Sequence, residues 1–325
     1  MGTPPGRRLW RENVSDGPLP SGRRDYNDGP FTVNAVADMN DIPPTPHSGE
    51  FYDTGRYGTV RVVERACPLC GAEDAASRPG YGEGIWRLVE CRRCGFAYLD
   101  RAPDYAALFE AMAWEKTTVG EVERRAALRP ISHRLSKLTR ARMRILPRKT
   151  MPTLVARHAQ PGNVVDLGCG TGTQLAGLSD AYVPFGIEIS SEAAATANRL
   201  FAERGGWAVN APSVEGLKSF ADGFFTAATL RSYLEHELHP RAVLAELHRA
   251  LAAGGVALVK VPNYASLNRH LTGRKWCGLR YPDHLNYFTP ASLTRMAEVC
   301  GYRARFGPTD RLPTSDNMYA VLEKA

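Results

Sequence analysis

The sequence predicts an α/β fold with a mostly parallel sheet, and three observations in its second half carry that prediction. From about residue 159, short apolar runs alternate with segments of helical period, as in strands joined by crossover helices. The first run, 163–167, ends in the glycine-rich turn 166–172 (DLGCGTG), where glycines let the backbone bend sharply and approach a ligand. An acidic residue, Glu188, ends the next strand 22 residues after Asp166.

The remaining predicted elements continue the alternation. Thr289-Pro290 supplies an N-cap and a first-turn proline for the last helix, and Gly301 ends that helix. Gly254-Gly255 closes the helix before it. In chain order, the predicted strands are 163–167, 183–189, 207–211, 224–230 and 256–261, and the predicted helices are 173–178, 191–203, 240–251 and 291–300.

The composition favours a cytoplasmic globular protein. Hydrophobic residues make up 43% of the 325-residue chain, and no apolar run approaches the roughly 18 residues that a bilayer crossing needs. The first 19 residues carry three arginines but no apolar segment, so no secretory leader is predicted. Seven cysteines, four of them in two close pairs, fit a reducing compartment better than a disulfide framework. We therefore expect a cytoplasmic protein with no membrane partner.

The chain divides into four predicted segments. Residues 1–60 are rich in Gly, Pro, Asp and Asn and predict an irregular or disordered arm. Residues 61–100 form a compact unit around the two cysteine pairs. Residues 101–158 repeat apolar side chains at steps of three and four, which predicts a helical cap or connector that Pro152 ends. Residues 159–325 hold the α/β domain.

Positive charge is concentrated in the connector. Between residues 116 and 149, eleven lysines and arginines face only two carboxylates, Glu121 and Glu123, while the whole chain has a net charge of +7. A local basic stripe favours an anionic substrate or partner near one surface. A solvated helix face explains the same residues equally well, so both interpretations stay open.

The four paired cysteines predict a structural zinc site. They form two C-x-x-C-G knuckles separated by 20 residues, and each knuckle can direct two thiolates at one ion. Four thiolates complete a tetrahedron and leave no position for chemistry, so the ion would stabilise a segment too short to build a core. Free thiols or a redox pair are the alternative. The predicted ligands are Cys67, Cys70, Cys91 and Cys94.

The α/β half resembles the class I S-adenosylmethionine-dependent methyltransferases. Five motifs occur in the family's order between about residues 160 and 303, and the glycines follow a G-x-G-x-G spacing that differs from the G-x-G-x-x-G of NAD enzymes. The resemblance implies a Rossmann-like, seven-stranded, mostly parallel sheet that ends in an antiparallel hairpin. The matching segments are 164–175, Glu188, 233–236, 254–263, and Trp276 with 282–290.

The resemblance also implies the cofactor-binding residues. Gly168, Gly170 and Gly172 would wrap the methionine part of S-adenosylmethionine, and Asp166 would support that turn and the cofactor's amino group. Glu188 would hold the ribose hydroxyls. Ile189 would flank the adenine, Asn210 and Ala211 would lie at the adenine edge, where the family often has Asp, and Arg231 would border the methionine moiety.

The cysteine unit narrows the resemblance within this family. A zinc knuckle ahead of a class I domain occurs in bacterial sugar and natural-product methyltransferases and in ribosomal-RNA guanine methyltransferases. The second knuckle here, 91–100, reads CRRCGFAYLD and is similar to the first group. The RNA enzymes place a His in that pair, and this chain has none there.

Candidate catalytic residues follow the fourth predicted strand. The segment Tyr233-Leu234-Glu235-His236 resembles the acceptor site of sugar C-methyltransferases, which implies His236 as general base beside Tyr233 and Glu235. An imidazole has an ordinary pKa near 6.5, suited to proton removal at neutral pH. The alternative is that Glu235-His236 only caps the loop before Pro240. His284, in the insert after the fifth strand, is the second candidate base.

Three functions are weighed from these residues. The first is S-adenosylmethionine-dependent methyl transfer to a small molecule, such as a sugar, a nucleotide-linked sugar or a natural-product intermediate, with an anionic acceptor as one option. The second is methylation of RNA, for which the aromatic residues of a single-strand platform are missing from 116–150. The third is a non-catalytic binding protein, against which the intact glycine turn argues. A homodimer is left open.

Overall fold

The computed structural model describes residues 49–54, 58–104 and 149–325. The strands are β1 (Glu50–Asp53), β2 (Thr59–Glu64), β3 (Ala75–Glu83), β4 (Trp86–Cys91), β5 (Ala97–Leu99), β6 (Arg101–Pro103), β7 (Gly162–Leu167), β8 (Tyr182–Glu188), β9 (Ala208–Asn210), β10 (Phe225–Arg231), β11 (Leu251–Pro262), β12 (Asn286–Tyr287), β13 (Tyr302–Phe306) and β14 (Asn317–Lys324). The helices are α1 (Met151–His158), α2 (Ser191–Ala202), α3 (Ser213–Lys218), α4 (Pro240–Ala250), α5 (Leu267–Thr272) and α6 (Pro290–Val299), and Gly273–Lys275 forms a 3-10 turn.

The main sheet has seven strands in the order β13-β14-β11-β10-β7-β8-β9. The five strands from β11 to β9 are parallel, and β14 runs antiparallel between β11 and β13. This arrangement confirms the predicted α/β, mostly parallel sheet with a terminal antiparallel hairpin. Because the carboxyl ends of parallel strands meet at one edge, the turns after β7, β8, β9, β10 and β11 lie together, where such folds bind ligands.

Burial on both faces explains why the central strands read as continuous apolar runs. In β10, Phe225, Ala227, Ala228 and Leu230 are fully buried, as a parallel strand covered by helices on both sides requires. Helix α2 instead buries one face, formed by Ala193, Ala194, Ala197 and Phe201. The pattern of apolar residues in the sequence therefore correctly distinguishes a strand buried on both faces from a helix buried on one face.

The predicted helix at 173–178 is wrong. The segment forms successive tight turns, with Leu175 N donating to Gly172 O at 3.2 Å and Leu178 N donating to Leu175 O at 3.0 Å. Gly172 has a positive φ of 80°, which interrupts a helical start, and Gly177 and β-branched Thr173 have low helix propensity. The glycine turn is thus followed by turns instead of the expected helix.

The N-terminal segments differ from the prediction in three places. The six strands of this part of the chain belong to two small sheets, β1-β2-β6 and β12-β5-β4-β3. Strand β1 and the start of β2 lie within 1–60, which was predicted to be irregular, and β6 lies where the helical connector was predicted to begin. Pro152 occupies the first turn of α1 instead of ending a helix, as a residue without an N–H tolerates. The basic stripe from Lys116 to Arg148 lies outside the described residues.

A long-range strand pairing joins the cysteine segment to the α/β half. Strand β12, from the insert after β11, pairs antiparallel with β5 through Asn286 opposite Tyr98 and Tyr287 opposite Ala97. Residues 61–100 therefore share a sheet with the insert. Among the described residues, no helix combines the length and the apolar composition that a bilayer crossing needs.

Candidate functional site

The glycine turn after β7 forms an open cradle at the carboxyl edge of the sheet. Gly168, Gly170 and Gly172 all have positive φ, at 67°, 54° and 80°. A Cβ atom at Gly168 would lie 2.8 Å from the Tyr233 ring, and one at Gly172 would lie 2.9 Å from the Phe201 ring. At Gly170 a Cβ would meet no described atom within 4 Å, so this peptide faces open space. A cofactor fits there because the backbone can approach it without side-chain obstruction.

Glu188 connects the glycine turn to the start of α2. Its Oε2 accepts a hydrogen bond from Gly170 N at 2.8 Å, and its Oε1 accepts one from Ser190 N at 2.9 Å. A carboxylate has about four acceptor positions, so two remain for a pair of ribose hydroxyls. Asn210 Nδ2 donates to the carbonyl oxygens of Glu188 and Ile189 at 2.9 and 2.8 Å and fixes this turn.

The contacts of two predicted cofactor-binding residues, Ala211 and Arg231, do not indicate a specific role in cofactor binding. Ala211 N donates to Glu188 O at 3.2 Å, so its backbone belongs to the same turn as Asn210. Arg231 is exposed at the end of β10, and its Nη1 donates to Gln174 Oε1 at 3.1 Å. Both residues lie at the predicted edge, and their roles toward a cofactor stay predictions.

Asp166 lies buried beneath the turn. Its Oδ1 accepts from Thr229 Oγ1, and Gln174 Nε2 donates to both of its carboxylate oxygens at 3.0 and 3.1 Å. Burial raises the pKa of Asp166 to about 7, and the two donors oppose that rise. Thr229 and Gln174 were not predicted. Thr229 belongs to no motif, and Gln174 lies in the matching segment 164–175, two residues after Gly172, without a feature that marks it as a partner of Asp166.

Tyr233 connects the glycine turn to the loop after β10. Its ring packs against Gly168, and its hydroxyl donates to Glu237 and lies 2.6 Å from Ser213 Oγ. Burial raises the pKa of Tyr233 well above its usual range, so the phenol stays protonated. The backbone enters this loop through Ser232, whose φ of 54° lies in the left-handed region that non-glycine residues seldom adopt.

His236 and His284 face one another across the loop and the insert. Their ring centroids are 4.8 Å apart, with the rings nearly perpendicular. His236 Nδ1 lies 2.7 Å from Asp283 O, and His284 Nδ1 lies 2.8 Å from Gly278 O. A carbonyl oxygen only accepts, so each Nδ1 carries the proton and each Nε2 keeps its lone pair.

The two histidines differ in access. The His236 side chain is 34% exposed, whereas His284 is buried and its Nε2 lies 3.5 Å from the Arg280 guanidinium. Burial lowers the pKa of His236 from 6.5, although the Asp283 carboxylate opposes that change. His236 is therefore neutral at pH 7 and presents an accessible Nε2 lone pair.

Glu235 lies beneath the histidines. The side chain is 1% exposed, and its Oε1 lies 4.0 Å from His236 Nε2. Burial raises the pKa of Glu235 to about 8, so its carboxyl group is mostly protonated at neutral pH. Lys260 and Arg280 both act on this carboxyl group electrostatically. The ligand atoms of Glu235, His236 and His284 all lie within 4.8 Å of one another, close enough to hold a metal ion. The positive charges of Lys260 and Arg280 would oppose such an ion, so these three side chains suit proton transfer better than metal binding.

The alternative role for the Glu235-His236 pair is to cap and orient the loop before Pro240. Helix α4 begins after His239 without a side-chain cap, and Glu237 Oε1 accepts from His239 N within this loop at 2.9 Å. The backbone carbonyl of Glu235 accepts from Leu285 N and Asn286 N at 2.7 and 3.1 Å. The Glu235-His236 segment is thus held against the insert.

Arg65 joins the cysteine segment to this loop. Its Nη1 donates to Leu99 O and Leu285 O at 3.2 and 3.3 Å, and its Nη2 donates to Leu238 O and Asn286 Oδ1 at 3.0 and 2.9 Å. The Asn286 amide also donates to the carbonyl oxygens of Leu234 and Glu237. No sequence motif marks Arg65, because its partners, three backbone carbonyls and the Asn286 side chain, are distant in the chain.

Replacing Arg65 with Met should lower the free energy of unfolding by about 2–4 kcal/mol, because buried carbonyl groups would lose a charged donor. Chemical denaturation measures this loss. Arg101→Met is the matched control: Arg101 lies in the neighbouring strand β6, where it pairs at 3.1 Å with Glu64, a residue more than half exposed. An Arg65→Met loss no larger than that of Arg101→Met would contradict the assigned network.

The four paired cysteines have a geometry that fits zinc. Both knuckles fold alike: Cys67 N and Cys91 N donate to Ala72 O and Phe96 O at 2.9 Å, and the glycine after each knuckle turns back with positive φ. The Sγ atoms of Cys67 and Cys94 are 3.5 Å apart, as are those of Cys70 and Cys91. Tetrahedral zinc with Zn–S bonds of about 2.3 Å places sulfurs roughly 3.8 Å apart, so a small expansion accommodates the ion.

Comparisons with known proteins identify the α/β half. Residues 124–305 match the family described as a methyltransferase domain. An uncharacterized 37.1 kDa protein in transposon TN4556 of Streptomyces fradiae is 34% identical over 119 residues, which span 35% of this chain and about a third (34%) of that relative.

Solved structures give weaker likenesses. A SAM-dependent methyltransferase from Archaeoglobus fulgidus is 17% identical with a TM-score of 0.42, covering 58% of this chain and 94% of that one. A putative O-methyltransferase from Nostoc punctiforme is also 17% identical, with a TM-score of 0.43 and 54% coverage of both chains. The family match carries the assignment and implies S-adenosylmethionine as methyl donor. Because that match spans more than half of the sequence, the chain belongs to the methyltransferase-domain family.

Proposed function

We propose that this protein transfers a methyl group from S-adenosylmethionine to a small-molecule acceptor, with His236 as the base that removes the acceptor's proton. The observation that carries the proposal is the neutral, partly exposed His236, whose Nδ1 proton is held by Asp283 O and whose Nε2 lone pair is accessible. A base of this kind suits a hydroxyl or a carbon acid. His284 is the second candidate, and its burial beside Arg280 disfavours it.

The residues of this chain have separate roles in the proposed reaction. S-adenosylmethionine, when bound, supplies a sulfonium methyl group for in-line displacement. Glu188 and the glycine turn would hold the donor at the carboxyl edge, and Tyr233 fixes that turn against the loop that carries His236. Alignment of acceptor and donor accounts for much of the barrier reduction in such transfers. The acceptor's proton would move to His236 Nε2 as the new bond to the methyl carbon forms.

We also propose a structural zinc ion held by Cys67, Cys70, Cys91 and Cys94. Support comes from the two matching knuckles and the convergent sulfurs. Cys67 and Cys91 are buried in the same core cluster as the sheet residues Val165 and Leu230. The ion would therefore stabilise the part of the chain that packs beside the acceptor loop.

The test of the proposed function measures donor binding and transfer separately. Calorimetry should detect S-adenosylmethionine binding by the full chain, and incubation with methyl-labelled donor and a panel of sugars, sugar nucleotides and other biosynthetic intermediates should yield a methylated product by mass spectrometry. Label appearing only in added RNA would contradict a small-molecule acceptor. Donor binding without any transfer across the panel would favour a binding protein.

Glu188→Ala should weaken S-adenosylmethionine binding about 10- to 100-fold, because hydrogen bonds to a charged acceptor are worth about 1.5–3 kcal/mol and two ribose hydroxyls lose it. Calorimetry gives the dissociation constants. Glu192→Ala is the matched control, since Glu192 is an exposed carboxylate in the first turn of α2. Equal affinities for the Glu188→Ala variant and the wild type would remove Glu188 from the donor site.

A further inference from the structure

Several polar groups are buried without a hydrogen-bond partner among the described residues, on the acceptor side of the site. They include the hydroxyls of Tyr264 and Tyr281 and the Nε of Arg269. Tyr264 is 5% exposed and Arg269 is 7% exposed. Folded proteins pair nearly all such groups, and leaving a buried donor unsatisfied costs free energy. Three groups in one region therefore indicate a missing partner.

The three groups form one cluster. The Arg269 guanidinium carbon lies 4.1 Å from the centroid of the Tyr264 ring, and Tyr281 packs against the buried apolar cluster that contains Tyr264. Burial raises the pKa of both phenols, so both hydroxyls carry protons that they can donate. We call Tyr264, Tyr281 and Arg269 the tyrosine–arginine cluster.

The charges around the cluster favour an anion. The Arg78 guanidinium carbon lies 5.9 Å from the centroid of the Tyr264 ring. Arg78 also forms an ion pair with Glu90 at 2.6 Å, so the negative charge of Glu90 is already neutralised. The negative charge of Glu83 raises the pKa of Tyr281, and the positive charge of Arg274 opposes that rise. Arg269 adds a buried positive charge that can only donate hydrogen bonds. A cation would be repelled by this arrangement, whereas an oxyanion accepts from all three groups.

The cluster lies beside the histidine pair. The Tyr264 and Tyr287 rings are 5.5 Å apart, and Tyr264 N donates to Phe288 O at 2.8 Å. Tyr287 follows His284 by three residues in the insert. Tyr264 itself comes two residues after β11, at the edge of the sheet where the cofactor turn lies. All three residues of the cluster therefore belong to the insert after β11, which also carries His284.

We propose that the tyrosine–arginine cluster binds an oxyanion group of the methyl acceptor, either a phosphate, a sulfate or a carboxylate. The inference rests on the proposed function, since it names the chemical class of that acceptor. The oxyanion would accept hydrogen bonds from the Tyr264 and Tyr281 hydroxyls and from Arg269 Nε. These contacts would hold the acceptor while His236 removes a proton at its other end.

The test uses Tyr264→Phe in the full chain and thermal denaturation with inorganic phosphate, sulfate or succinate. At least one of these anions should raise the Tm of the wild type, and the anion that does so identifies the group. Tyr264→Phe should lose this response. Without anion its Tm should equal or exceed that of the wild type, because the deleted hydroxyl has no partner. Arg269→Gln should weaken calorimetric binding of the same anion about tenfold or more.

Tyr182→Phe is the matched control. Tyr182 is also buried, but its hydroxyl donates to Ala159 O at 3.1 Å, far along the chain from the cluster. This variant should lose stability and keep the anion response. The proposal is overturned if no anion stabilises the wild type, if Tyr264→Phe responds like the wild type, or if Tyr264→Phe loses as much stability as Tyr182→Phe. Donor binding is measured in parallel, so a failed methyl-transfer proposal shows as absent S-adenosylmethionine binding, independently of the anion result.

Discussion

Replacing His236 with Ala is expected to lower the rate of methyl transfer about 10²- to 10⁴-fold, the usual contribution of a positioned general base. Donor affinity should stay near the wild-type value, because the hydrogen bonds that hold Glu188 to the glycine turn and to Ser190 do not involve His236. Single-turnover rates and calorimetry separate these two effects. The expected loss is large because the one accessible lone pair of the histidine pair belongs to His236 Nε2.

His158→Ala serves as the control for this variant. His158 is exposed at the end of α1, at the opposite end of the sheet from the acceptor loop, so its removal should leave transfer unchanged. His284→Ala distinguishes the two candidate bases. A larger rate loss in His284→Ala than in His236→Ala would transfer the base assignment to His284.

The pH dependence supplies a second readout for His236. Burial lowers its pKa from 6.5, so the neutral, proton-accepting form persists below that pH. The contribution of His236 to transfer should therefore be lost as pH falls below 6.5 through the lowered pKa, whereas changes nearer neutral pH are expected from Asp166 and Glu235. A loss of rate below pH 6.5 that is identical in His236→Ala and the wild type would contradict His236 as the base.

Removal of the predicted zinc ion is expected to have the largest effect on stability. Apparent zinc affinities of four-ligand knuckles correspond to about 10–16 kcal/mol, which exceeds the total stability of many domains. Cys91→Ser should abolish stoichiometric zinc and unfold the sheet formed by β3, β4, β5 and β12. Metal analysis and thermal denaturation, with and without a chelator, measure both consequences.

Cys277→Ser is the matched control, because Cys277 is an exposed thiol outside the knuckles. This variant should keep zinc and stability. An equal Tm for the wild type before and after complete chelation would show that the four cysteines do not bind a stabilising ion.

The features predicted correctly are those that depend on local sequence. The glycine turn follows a strand, Glu188 ends the next strand, and α6 begins at the predicted Thr289-Pro290 cap. Each of these signals lies within a few residues, since positive φ, capping and alternation of burial act over short distances. The parallel sheet then follows from the alternation of strands and helices.

The features that sequence analysis missed depend on contacts between distant residues. The tight turns at 173–178 replace a helix because two glycines weaken it, and the strength of that effect depends on the packing around them. Arg65 finds backbone acceptors more than 170 residues away, which no motif encodes. The unpartnered hydroxyls of Tyr264 and Tyr281 are visible only once burial is known. Side-chain chemistry at the acceptor site was therefore harder to predict than the cofactor turn.

The pairing of β5 with β12 has a consequence for how the protein is made. Strand β5 leaves the ribosome long before its partner, since Leu99 and Asn286 are separated by 187 positions. Until then, the edge of the small sheet is open, and open edges invite pairing with other chains. Early closure of the cysteine knuckles around an ion would keep this nascent sheet compact while the remaining chain is synthesised.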